Sequence, residues 1–86
     1  MWPKTTDPDH VRSVFTDLLR AIRHEAGLRQ AVLAHRLGQT QSFVSKYESG
    51  ERRVDILELA EICRACGVSL RDFVVRFEEL LEDNES

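Results

Sequence analysis

Cysteine, proline and glycine are all scarce in this 86-residue chain, with two, two and four copies. Six Pro and Gly residues are too few for a Pro/Gly-driven disordered chain. No apolar run approaches the roughly 20 residues that a membrane span needs. The start, Met1-Trp2-Pro3-Lys4, has no apolar stretch of the secretory kind. With two cysteines and no export signal, a reducing, cytoplasmic setting is expected. No segment alternates apolar and polar residues over a useful length, so no strand is expected.

Familiar catalytic patterns are missing too. His10, His24 and His35 are scattered and share no metal-ligand spacing. There is no Ser-His-Asp arrangement, no phosphate-cradling glycine loop and no suitable carboxylate pair. Cys63-Arg64-Ala65-Cys66 has redox spacing. However, it falls in the middle to late part of a helical stretch, not at the helix N-terminus that would lower a thiol pKa. A second ligand pair at zinc spacing is absent, so buried free thiols are expected. A helical bundle of this size is also expected to lack the depth of a substrate pocket. The chain therefore reads as a non-enzyme with no metal, no cofactor and no evident small-molecule ligand.

What is present is a charge gradient. The net charge of −3 hides a segment, residues 12–53, with eight bases and four acids, followed by residues 54–86 with three bases and nine acids. Such asymmetry suits one surface that meets a polyanion and another that faces away. Ordinary solvated helix faces are the alternative.

Helix punctuation divides the chain into five segments. Asp7-Pro8 caps and opens the first, along which Val11, Val14, Phe15, Leu18, Leu19 and Ile22 recur at helical spacing before Gly27. Leu28, Leu33, Ala34 and Leu37 mark a short second helix that Gly38 stops. Thr40 caps a third, whose inner face is Val44, Tyr47 and Glu48, and Gly50 closes it. Asp55 and Glu58 form a capping-box pair for a fourth helix ending at Gly67, and Ser69 and Asp72 repeat the device for a fifth, over residues 69–82. The fold class is therefore all-α, a compact five-helix bundle, with residues 1–86 as one domain.

Residues 30–48 hold the informative pattern. Two short helices divided by a glycine read as a helix-turn-helix. Ala34 allows close crossing, Gly38 tolerates the turn, and Leu33, Leu37, Val44 and Tyr47 make the small core. Gln41, Ser42, Ser45 and Lys46 are left on the outer face, as hydrogen-bonding side chains suited to base edges and phosphates.

The run GLRQAVLAHRLGQTQSFVSKYESGERR resembles the Cro/phage-repressor (Xre-like) helix-turn-helix family, and the resemblance extends from about Leu18 to Phe73. It implies a lambda-repressor-like bundle whose third helix enters the DNA major groove. By position, it implies that Gln41 reads a base, with Ser42, Ser45 and Lys46 beside it. Gln30, at the start of helix 2, would meet a phosphate, and Arg52 and Arg53 would touch the backbone. Phe43 stands with these backbone-proximal positions, either pressing on a thymine methyl or covering the bundle. Arg23 and Glu48 match a family ion pair that ties helix 1 to helix 3. Arg29 departs from the family's Ser, Thr or Asn cap, and Glu51 puts an acid in the phosphate-facing loop.

The apolar stripe of helix 5 is longer than a bundle of this size needs, which predicts a homodimer through Phe73, Phe77, Leu80 and Leu81, with Trp2 or other N-terminal residues assisting. The resulting expectation is a sequence-specific, double-stranded DNA-binding transcriptional regulator, most simply a repressor on a near-palindromic operator. An antitoxin or restriction-controller subunit, and a helical interaction module without DNA binding, are the alternatives.

Overall fold

A computed structural model describes residues 7–85. Trp2, expected to assist self-association, lies outside them. Five helices follow one another: α1 (Pro8–Glu25), α2 (Gln30–Arg36), α3 (Gln41–Glu48), α4 (Ile56–Ala65) and α5 (Leu70–Glu85). No strand occurs among the described residues. The Cα radius of gyration, 12.8 Å, is close to the roughly 12 Å of a compact chain of this length. The helices therefore pack on one another.

Local chemistry sets the helix ends. The Asp7 carboxylate accepts from the Asp9 N–H at 3.0 Å, ahead of Pro8. Thr40 Oγ1 accepts from the Phe43 N–H at 3.3 Å. Asp55 accepts from the Glu58 N–H at 2.8 Å while Glu58 accepts from the Asp55 N–H at 3.1 Å, a complete capping box. Ser69 Oγ accepts from the Asp72 N–H at 3.0 Å. Arg29 precedes α2 with no side-chain cap. The one boundary that moves is at the end of α5, which runs to Glu85 rather than stopping near residue 82. No glycine or proline follows Glu82 to end it.

Two glycines set the helix-turn-helix. Gly38 (φ 66°) and Gly50 (φ 83°) occupy the left-handed region, where a β-carbon is strained. At Gly38 the chain turns between α2 and α3, and the Gln39 N–H reaches back to the Ala34 carbonyl at 2.9 Å. At Gly50 the Glu51 N–H reaches the Lys46 carbonyl at 3.0 Å, which ends α3 after two turns.

The core contains Leu18, Leu19, Ile22, Leu33, Ala34, Val44, Tyr47, Ile62, Cys63 and Phe73. α5 folds back on α1: Phe15 makes edge contacts with Phe73 and Phe77, with ring centroids 5.8 and 5.6 Å apart. Arg76 adds a bidentate pair to Glu25 at 2.8 and 2.9 Å. The hydrogen bonds from Arg76 hold the Glu25 carboxyl below the usual carboxylate range. A lowered folded-state value means that this tie is present above the ordinary carboxylate pKa and is lost as pH falls through the lowered one.

This packing corrects the expected dimer surface. Phe73 is 1% exposed and Leu81 3%, and Phe77 is half-buried against the core. Phe73 and Phe77 cover Phe15 of α1, and Leu81 is buried within the chain itself. Of the four residues expected at a dimer contact, only Leu80 is exposed. The other exposed apolar residues of α5 are Val74 and Val75. No helix among the described residues is long and apolar enough to cross a membrane.

Candidate nucleic-acid interface

α3 divides by face. Val44 and Tyr47 are fully buried and Glu48 is 2% exposed. Gln41, Ser42, Ser45 and Lys46 are all exposed on the opposite side. The helix is anchored by its inner side chains, so the four outer ones form a continuous polar ridge. An α-helix with its side chains is about 10–12 Å across, which fits the roughly 12 Å width of the B-DNA major groove.

Glu48 is the hub of the anchorage. Its carboxylate accepts from Arg23 Nε at 2.7 Å and Arg23 Nη2 at 3.0 Å. It also accepts from Gln30 Nε2 at 3.1 Å, and its carbonyl accepts from Arg20 Nη2 at 3.1 Å. One acid thus ties α1, α2 and α3 together. Arg23 also donates to the Leu28 carbonyl at 2.9 Å, fixing the link into α2. Hydrogen bonding to Glu48 raises the Arg23 pKa further above its ordinary value.

The expected phosphate contacts divide into engaged and unengaged groups. The Gln30 side chain is spent on Glu48. Arg52 is paired with Glu58 at 2.7 Å, and its guanidinium lies 4.6 Å from the centroid of the Phe43 ring. Phe43 in turn packs edge-on against Tyr47, with centroids 5.5 Å apart, and is half-buried. Its ring therefore covers the bundle while Arg52 covers the ring. Arg53 and Lys46 are exposed, and no ion pair engages either side chain among the described residues. Arg29, at the start of α2, shares that state and was not among the expected contacts. Its signal in the sequence was its departure from a capping residue type.

Tyr47 was expected only as a core residue. Its hydroxyl is buried without a hydrogen-bond partner among the described residues, and burial pushes its pKa well above the ordinary phenol value. An unsatisfied buried group costs stability. Tyr47→Phe, which keeps the ring, is therefore expected to leave urea stability unchanged or raise it by up to about 1 kcal/mol. A loss of that size would reveal a partner for the hydroxyl.

Cys63 and Cys66 are buried free thiols. Burial pushes Cys63 up to about 11 and raises Cys66, the opposite of what a redox or metal-binding thiolate requires. Among the described residues no group of three or more His, Cys, Asp and Glu could hold a metal ion.

Known proteins share this fold. A family model described as helix-turn-helix matches residues 19–73. An XRE-family like protein from Pseudomonas syringae pv. tomato superposes with a TM-score of 0.78 at 39% identity, covering 84% of this chain and 88% of its own. The clp gene regulator ClgR from Corynebacterium glutamicum gives 0.71 at 26%, covering 80% and 88%. The wild-type restriction-modification controller protein C.Esp1396I gives 0.74 at 25%, covering 80% and 91%. No curated protein matches the chain.

Proposed function

Because the chain belongs to the XRE-type helix-turn-helix family, we propose that it regulates transcription by binding double-stranded DNA in a sequence-specific way, without enzymatic activity. The carrying observation is the exposed ridge Gln41, Ser42, Ser45 and Lys46 on a helix locked from behind by Glu48. A flexible amide, two hydroxyls and an ammonium suit base edges and phosphates. Arg53 and Lys46 supply cations beside that ridge, and Arg52 reaches a phosphate by exchanging its Glu58 partner. ClgR is named for gene regulation and C.Esp1396I for control of restriction-modification.

The active unit in this reading is a two-fold homodimer, which would set two copies of α3 about 34 Å apart on a near-palindromic site. Its contact surface is the outer side of α5 around Val74 and Val75, rather than Phe73 and Leu81. Occupancy of the operator makes repression the simplest outcome.

Salt titration of duplex binding tests the assignment. The logarithm of the binding constant should fall steeply and linearly with the logarithm of salt concentration. Arg53→Ala should weaken all sequences alike and reduce the slope by about one. No duplex affinity at low salt, or a base-selective loss at Arg53, would contradict it.

A further inference from the structure

α1 is 18 residues long and α3 only eight, so the two cannot cover each other along their lengths. Arg20 and Arg23 pin the C-terminal half of α1 to α3, while Phe15, nearer its N-terminus, packs on α5. After Gly50 the chain leaves α3 and crosses to α4. An open groove of about 540 Å³ remains between the start of α1, this crossing and α5. That volume lies within the range of small-molecule sites, roughly 300–1,000 Å³.

The groove has a definite chemistry. Val11, Phe15, Val54 and Phe77 form apolar walls, and three arginines, Arg12, Arg52 and Arg53, are among its lining residues. No carboxylate lines it among the described residues, although the chain has 15 acids against 12 bases. Arg52 is tied to Glu58. Arg12 and Arg53 are exposed and engage no acid among the described residues.

We propose that this groove binds an amphipathic organic anion, with an apolar body against the walls and a single carboxylate held by Arg12 and Arg53. Burial of the body supplies the non-directional part of the affinity, and guanidinium–carboxylate hydrogen bonds supply the orientation. Arg53 is also a proposed phosphate contact, so the anion and DNA compete for it, and the ligand lowers DNA affinity. This coupling rests on the DNA-binding reading, whereas occupancy of the groove does not.

The two parts are tested separately on the full chain. Without DNA, the fluorescent aromatic sulfonate 1-anilinonaphthalene-8-sulfonate should bind one per chain. Decanoate below its micellar concentration should displace it, and decanol at equal concentration should not. Arg12→Gln and Arg53→Gln should each weaken decanoate by about tenfold, and Val11→Trp, which fills the groove from a helix surface, should abolish binding with helix content unchanged. Absence of saturable binding, equal displacement by decanol, or indifference to these three substitutions overturns the site. With DNA, saturating decanoate should weaken duplex binding, and by linkage the duplex should weaken decanoate by the same factor. An unchanged duplex affinity overturns the coupling. Failure of every duplex to bind strikes the DNA reading instead, while the anion site stands or falls by its own titration.

Discussion

Glu48→Ala is expected to cost about 3–5 kcal/mol of folding stability, because it strips a buried arginine of its carboxylate partner. Several features set the size. Glu48 is 2% exposed and Arg23 8%, and their contact is bidentate at 2.7 and 3.0 Å. Alanine would leave the Arg23 charge in place and also orphan the Gln30 amide. Arg23 would keep the Leu28 carbonyl, which favours the lower end of the range. The exposed pairs Arg76–Glu25 and Arg52–Glu58 are of another kind, because solvent and salt screen them. A domain of this type has only about 5–15 kcal/mol in total, so the hub holds a large share. Urea unfolding reads the effect directly. Glu48→Gln, which retains an acceptor and the shape, should lose less than Glu48→Ala. A loss below about 1 kcal/mol for Glu48→Ala would show that the three helices are held together by apolar packing alone.

Phe73→Ala is expected to cost a further independent 3–5 kcal/mol, the usual price of deleting a buried phenyl ring. The ring is 1% exposed and meets Phe15 edge-on. Little is available to collapse into the space, because α5 reaches α1 largely through Phe73, Phe77 and the Arg76–Glu25 pair. Since the ring lies in the chain's own core, the loss should not vary with protein concentration. A loss that disappears at high protein concentration would return Phe73 to an interface between copies. Val75→Ser, on the exposed side of the same helix, should change stability by no more than about 0.5 kcal/mol. It should instead move the monomer–dimer equilibrium if that face is the contact.

These two residues also show where sequence reasoning succeeds and where it stops. Helix boundaries were legible because they depend on neighbours: Thr40 on Phe43, Asp55 on Glu58, Gly38 on the turn it permits. The inward face of α3 was legible because Val44, Tyr47 and Glu48 share a helical period. The link from Arg23 to Glu48 spans 25 positions, and no local pattern announces it; the family resemblance supplied it. Periodicity placed Phe73, Phe77 and Leu81 on one stripe of α5, but the same stripe serves a fold-back onto α1 or a partner chain. Only packing distinguishes them. The engagement of Gln30 by Glu48 and of Arg52 by Glu58 was hidden for the same reason, and so was the groove beside α1, which arises from unequal helix lengths.

The central claim, that the outer ridge of α3 reads bases, is tested most directly by selecting bound duplexes from a random pool with the native chain and with Gln41→Ala. The native chain should enrich two related half-sites about one helical turn apart. Gln41→Ala should keep the spacing and lose preference at one position in each half-site, costing about 1–3 kcal/mol on the selected sequence. Enrichment of no sequence by the native chain, or an identical set of preferences from both proteins, would contradict the claim.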